Sequence, residues 1–210
     1  IDNGSSDACG IADLSLDVTS FDCSNISSAA NSKNLFISEY IEGSGNNKCI
    51  EIYNGTGSAV DLDAENYELS VYFNGNSSPS SNISLSGVIA DGDVFVICNS
   101  SASSTFTSLA DATSGSLSYN GDDVVELTRN GTSVDIFGKI GQDPGSYWSG
   151  TGIKTQNQTL VRNGSVIDGN VDDLNGFPSL ETEWIEFSQD DASNLGSHSV
   201  SGGGVEVTLT

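Results

Sequence analysis

The chain has 210 residues and carries 29 Asp and Glu against six Lys and Arg, a net charge of −23. Such a surface excludes docking on nucleic acid by bulk charge, which needs clustered Lys and Arg, and it is repelled by an anionic membrane face. No apolar run reaches the roughly 18 residues of a spanning helix, so neither nucleic acid nor membrane insertion is expected, while the length suits one domain with a real core.

Residues 1–33 form a polar extension with one alternating stretch, 14–21, and two of the four cysteines, Cys9 and Cys23. The chain lacks Met and opens without a basic, apolar leader, which predicts a mature secreted product. The even cysteine count fits an oxidising compartment. Four cysteines allow three connectivities. The expected pairing is Cys9–Cys23 and Cys49–Cys98, because the latter two each end an apolar, strand-like run; buried free thiols are the alternative. Asn-x-Ser/Thr sequons recur from Asn3 to Asn163 and permit glycosylation.

From residue 34 to 199 the apolar period is two almost throughout. Strands are predicted at 35–41, 49–53, 67–73, 94–98, 124–128, 134–138 and 159–162. Asn-Gly pairs at Asn54, Asn74, Asn120, Asn130 and Asn163 supply the positive-φ positions of tight turns. The clearest hairpin joins 124–129 to 132–137 through Asn130-Gly131. No segment keeps a 3.6-residue stripe, although 104–110 has room for one or two helical turns. Many short strands with Gly-rich turns predict an all-β sandwich.

Residues 200–210 pair a Gly202-Gly-Gly204 tether with a last alternation, in which Val205, Val207 and Leu209 share one face. A lone strand satisfies neither its backbone groups nor its apolar face. Its destinations are an edge of its own sandwich, a further domain, or a neighbouring subunit's open sheet. Donation to a neighbour does not close on itself and builds filaments.

Within 34–199 the sequence resembles the lamin tail domain family. The residues that carry the resemblance are Ile37-Ser-Glu-Tyr-Ile-Glu-Gly43, Asn47-Lys48, Ile50-Glu-Ile-Tyr-Asn54, Ala59-Val-Asp-Leu62, Asp91-Gly-Asp93 and Asn120-Gly-Asp-Asp-Val-Val-Glu-Leu127. Val134-Asp135, Trp148, Thr159-Leu-Val-Arg162, Trp184 and Leu195-Gly-Ser-His198 complete the series. The resemblance is to the bacterial branch found on secreted nucleases and surface proteins. It implies an immunoglobulin-like β-sandwich used for binding, not catalysis, here with an N-terminal disulfide-bearing extension and an extra C-terminal strand.

Chemistry-bearing residues are few. Glu39, Glu42 and Glu51, with Asp91, Asp93, Asp122 and Asp123 at turns, offer the hard oxygens that Ca²⁺ takes, making Ca²⁺ the one cofactor considered; otherwise such acids hydrogen-bond their own turns and keep a surface soluble. His198, the only histidine, lies in a polar segment with no nucleophile pattern around it. Trp148 and Trp184 are expected in the core. The sequence therefore predicts a secreted, non-enzymatic structural or adhesive protein of the cell surface. Its expected partner is itself, through Val205, Val207 and Leu209, or other extracellular components. The alternative is a recognition module of a secreted hydrolase such as a nuclease.

Overall fold

The computed structural model describes residues 31–171 and 175–201. The stretch 14–21, the expected Cys9–Cys23 bridge and the Val205, Val207, Leu209 segment lie outside those residues. In chain order the strands begin with β1 (Phe36–Glu42), β2 (Lys48–Tyr53), β3 (Val60–Asp61), β4 (Tyr67–Tyr72), β5 (Ser81–Ser84), β6 (Val88–Ile89) and β7 (Val94–Cys98). After helix α1 (Ser104–Thr107) come β8 (Ala112–Thr113), β9 (Val124–Arg129), β10 (Thr132–Phe137), β11 (Ser149–Gly150), β12 (Ile153–Lys154) and β13 (Thr159–Arg162). Helix α2 (Ser179–Glu183) leads directly into β14 (Trp184–Phe187).

The molecule is an immunoglobulin-like sandwich of a six-stranded sheet, β14-β13-β1-β2-β7-β8, against a four-stranded sheet, β10-β9-β4-β5. Neighbouring strands are antiparallel except β7 and β8, which run parallel. Turn chemistry sets this register where the chain reverses tightly. Asn130 and Gly131 both take positive φ (49° and 72°), the geometry that matches strand twist, and they close the β9–β10 hairpin.

Period two sorts the side chains. Ile37, Tyr40, Ile50, Ile52, Ile97 and Leu160 face inward from the larger sheet and meet Leu69, Val71, Val125, Leu127 and Phe137 from the smaller. The Tyr40 ring stacks on Phe137 at 4.1 Å and on Tyr119 at 4.9 Å. Trp148 and Trp184 are core residues, and Trp184 meets Phe137 edge-on at 4.9 Å. Each such burial contributes roughly 1.5–3 kcal/mol.

One bond of chemistry crosses this core. Arg162, at the end of β13, reaches Asp135 of β10 at 2.5 Å and Glu183 at the end of α2 at 2.5 Å. Asp135 also accepts from the Ile37 and Asn170 backbones, each at 2.8 Å, so its lone pairs are used. On the outer side of the large sheet, Cys49 of β2 stands directly opposite Cys98 of β7, and the two form a disulfide. Asn54 is wholly buried and Asn99 nearly so, which removes both sequons from the accessible set in the folded chain.

Candidate functional site: the strap-covered sheet face and its free edge

A bulge in β1 shapes the outer face of the large sheet. Ile37 pairs with Ile52 and Glu39 with Glu51, so Ser38 is the extra residue, and both Ser38 and Glu39 stand opposite Glu51. Ile41, Cys49, Val96 and Cys98 continue this face as a second apolar cluster, closed by Phe106 of α1 and by Leu195. Leu195 belongs to a strap, residues 188–198, that crosses the face after β14.

Local polar contacts fasten the strap. Asp190 Oδ1 accepts from Ser44 N at 2.9 Å and from Asn47 Nδ2 at 2.8 Å. Thr159 Oγ1 of β13 donates to the Asp191 carbonyl at 2.9 Å. Gly196 N donates to Glu51 Oε2 at 2.7 Å, while Ser38 Oγ donates to Glu51 Oε1 at 2.7 Å. His198 then packs edge-on against Tyr53 (5.1 Å) and Phe36 (5.9 Å). Burial, followed by the Arg162 charge, lowers its pKa to about 4, so the ring is neutral at pH 7. Ser201 N donates to the Gly164 carbonyl at 2.7 Å, which places Ser201 beside the end of β13. A groove of about 500 Å³ lies there, lined in part by Val161, Asn194, His198 and Val200.

The carboxylates expected to gather around a cation do not meet. Glu39 and Glu51 do share the outer face. Glu42 is three residues from Glu39 along β1, and that odd spacing turns it to the opposite face. There it pairs with Lys48 Nζ at 3.1 Å and accepts from the Asn157 backbone. Asp91 accepts from Gly57 N at 2.7 Å, and Asp93 caps Val94 N at 2.9 Å. Asp123 accepts from Asn120 N at 2.9 Å and Asn74 N at 3.0 Å. Asp122 beside it is 5% exposed and has one unpartnered oxygen; burial, then the Asp143 charge, raises its pKa. Asp91 and Asp93 serve one turn, Asp122 and Asp123 another, and the three Glu lie on strands; among the described residues no three His, Cys, Asp or Glu side chains form a metal-holding group.

Sequence reasoning missed the large sheet's free edge. Among the described residues, strand β14 pairs only with β13 and ends the sheet. Trp184 turns into the core, whereas Ile185, opposite Val161, is 47% exposed. The remaining edges differ. The Asn170 carbonyl takes the Ile136 N–H of β10 at 2.8 Å, β8 has only two residues, and β5 is a polar Ser-Asn-Ile-Ser strand.

The model of the lamin tail domain family matches residues 28–141, more than half of the chain. The chain belongs to the lamin tail domain family. No curated protein and no solved structure gives a significant match. The family match spans β1 to β10 and stops short of β13, β14 and the strap. In this lamin tail domain those later elements complete the large sheet and, among the described residues, carry its open edge. Among the described residues no helix is long and apolar enough to cross a membrane.

Proposed function

We propose that this lamin tail domain is a secreted, non-enzymatic structural or adhesive unit of the bacterial cell exterior that polymerises by β-strand exchange. The donor is the alternating segment Val205, Val207, Leu209, and the acceptor is the free edge of β14 in the next subunit. The observation that carries this reading is the outer edge of β14, unpaired among the described residues, with half-exposed Ile185 on the strand and Ser201 nearby beside the end of β13. An added strand satisfies the edge's backbone groups and covers its apolar side chains in one step. A six-residue strand is about 20 Å long and spans the whole of β14. The Cys49–Cys98 bridge supports an oxidising, extracellular setting.

Size-exclusion chromatography and negative-stain microscopy of residues 1–210 against 1–201 test the reading. The longer chain is expected to form filaments and the shorter one monomers. Filaments from 1–201, or a monomeric 1–210 at every salt concentration, would overturn it.

A further inference from the structure

Glu39 is the most anomalous group in the fold. Its side chain is 0% exposed, and neither carboxylate oxygen has a hydrogen-bond partner. Its cross-strand partner Glu51 is fully engaged, by Ser38 from its own sheet and by Gly196 from the strap. Native structures satisfy buried polar groups, so an orphaned acid calls for a missing charge or a change of state. A metal ion would need several more oxygens, which the described residues do not bring together. A proton requires none.

We propose that Glu39 and Glu51 form a proton latch beneath the 188–198 strap: with Glu39 as the neutral acid the strap lies closed, and loss of that proton lifts the strap and loosens the Ser201 contact to Gly164 that follows it. The charges acting on the group all favour the neutral form. Burial, then Glu51 on β2, then Asp191 on the strap itself push the Glu39 pKa up to about 9. Across from Glu39 on its other side, β13 presents the apolar Val161. Ionised Glu39 would stand unpartnered beside Glu51, whose own pKa burial raises, the Ser38 and Gly196 hydrogen bonds working against that and the Asp111 charge adding to it. The Asp190 contacts to Ser44 and Asn47 lie at the strap's far end and serve as its fixed point.

The latch stands on the buried pair alone; its consequence for assembly, exposure of the donor segment's root, rests on the strand-exchange reading. Two measurements on the full chain at low ionic strength test it. In a carbon-13 carboxyl titration, the Glu39 resonance is expected to move with a midpoint near pH 9. Subtilisin cleavage within 188–201, normalised to an unstructured peptide, is expected to accelerate at least tenfold between pH 8 and pH 10. In Glu39→Gln, which keeps size but cannot ionise, the acceleration is expected to vanish. A Glu39 midpoint near 4.5 overturns the latch, as does equal acceleration in both chains. Should Glu39→Gln fail to fold, cleavage that does not follow the wild-type carboxyl midpoint overturns it as well. Latch behaviour without any change in polymer content would instead count against strand exchange and leave the latch standing.

Discussion

At the scale of single residues, two groups set opposing pH slopes. Glu39 has a folded pKa near 9, above the 4.5 of an exposed Glu. Between those values the native chain keeps a proton that the unfolded chain has lost, so stability falls as pH rises through that window. His198 has a folded pKa near 4, below the ordinary 6.5, so its stability contribution is lost as pH falls from 6.5 to 4. Between about pH 4.5 and 6.5 these two cancel, while Glu51, Asp122 and Asp123, whose pKa burial raises, add a decline just above the ordinary carboxylate range. Above 6.5 the Glu39 slope stands alone, at about 1.4 kcal/mol per pH unit in the limit. Urea denaturation is expected to show a decline that continues above pH 6.5 toward pH 9. Glu39→Gln should gain ~1–3 kcal/mol at pH 7 and abolish the decline; a decline that persists in the variant would place its source elsewhere. Arg162 behaves in the opposite sense. Arg162→Met leaves Asp135 buried beside Glu183 with no countercharge, and a loss of about 3–5 kcal/mol is expected in the same assay.

At the scale of elements, the Cys49–Cys98 bridge ties two central strands across a separation of 49 residues. A loop of that length gives a chain-entropy stabilisation of about 4 kcal/mol, and measured values often fall lower. The Cys49→Ala/Cys98→Ala variant should therefore unfold with a stability loss of about 2–4 kcal/mol and an unchanged strand signature by circular dichroism. The bridge was legible because both cysteines end apolar, strand-like runs. Short strand-like runs likewise place Val94–Cys98 and Thr159–Arg162 at their observed bounds, and Asn-Gly chemistry places the β9–β10 turn. What the sequence hides has physical causes. The two-residue ladders β3, β6, β8, β11 and β12 are too short to show a period. Strand β14 follows α2 with no turn residue between them, so Trp184 reads as an isolated core aromatic and the open edge goes unseen. The bulge at Ser38 is a backbone event with no side-chain signature, yet it brings Ser38 and Glu39 together over Glu51. The expected meeting of Glu42 with that pair fails on parity alone, since side chains three apart on a strand point to opposite faces.

At the scale of the whole molecule, a charge of −23 opposes every contact between identical subunits. Strand exchange answers this with short-range terms, backbone pairing and apolar burial, which salt hardly weakens, whereas the repulsion it must outweigh is long-range. The Debye length falls from ~30 Å at 0.01 M to ~8 Å at 0.15 M ionic strength, so most of the repulsion disappears over that interval while the pairing remains. The critical concentration for polymerisation of residues 1–210, followed by light scattering, should therefore drop by at least tenfold between those two salt levels. Two origins of the drop are separable. If diffuse screening is responsible, NaCl and CaCl₂ at matched ionic strength act alike, and this is the expected outcome, because among the described residues no three His, Cys, Asp or Glu side chains gather to enclose an ion. If Ca²⁺ at matched ionic strength lowers the critical concentration well beyond NaCl, carboxylates of neighbouring subunits chelate it together, and the cohesion belongs to cation bridges between surfaces. A critical concentration that rises with NaCl would mean the contacts are themselves ion pairs, which six basic residues among 29 acidic ones leave little room to build.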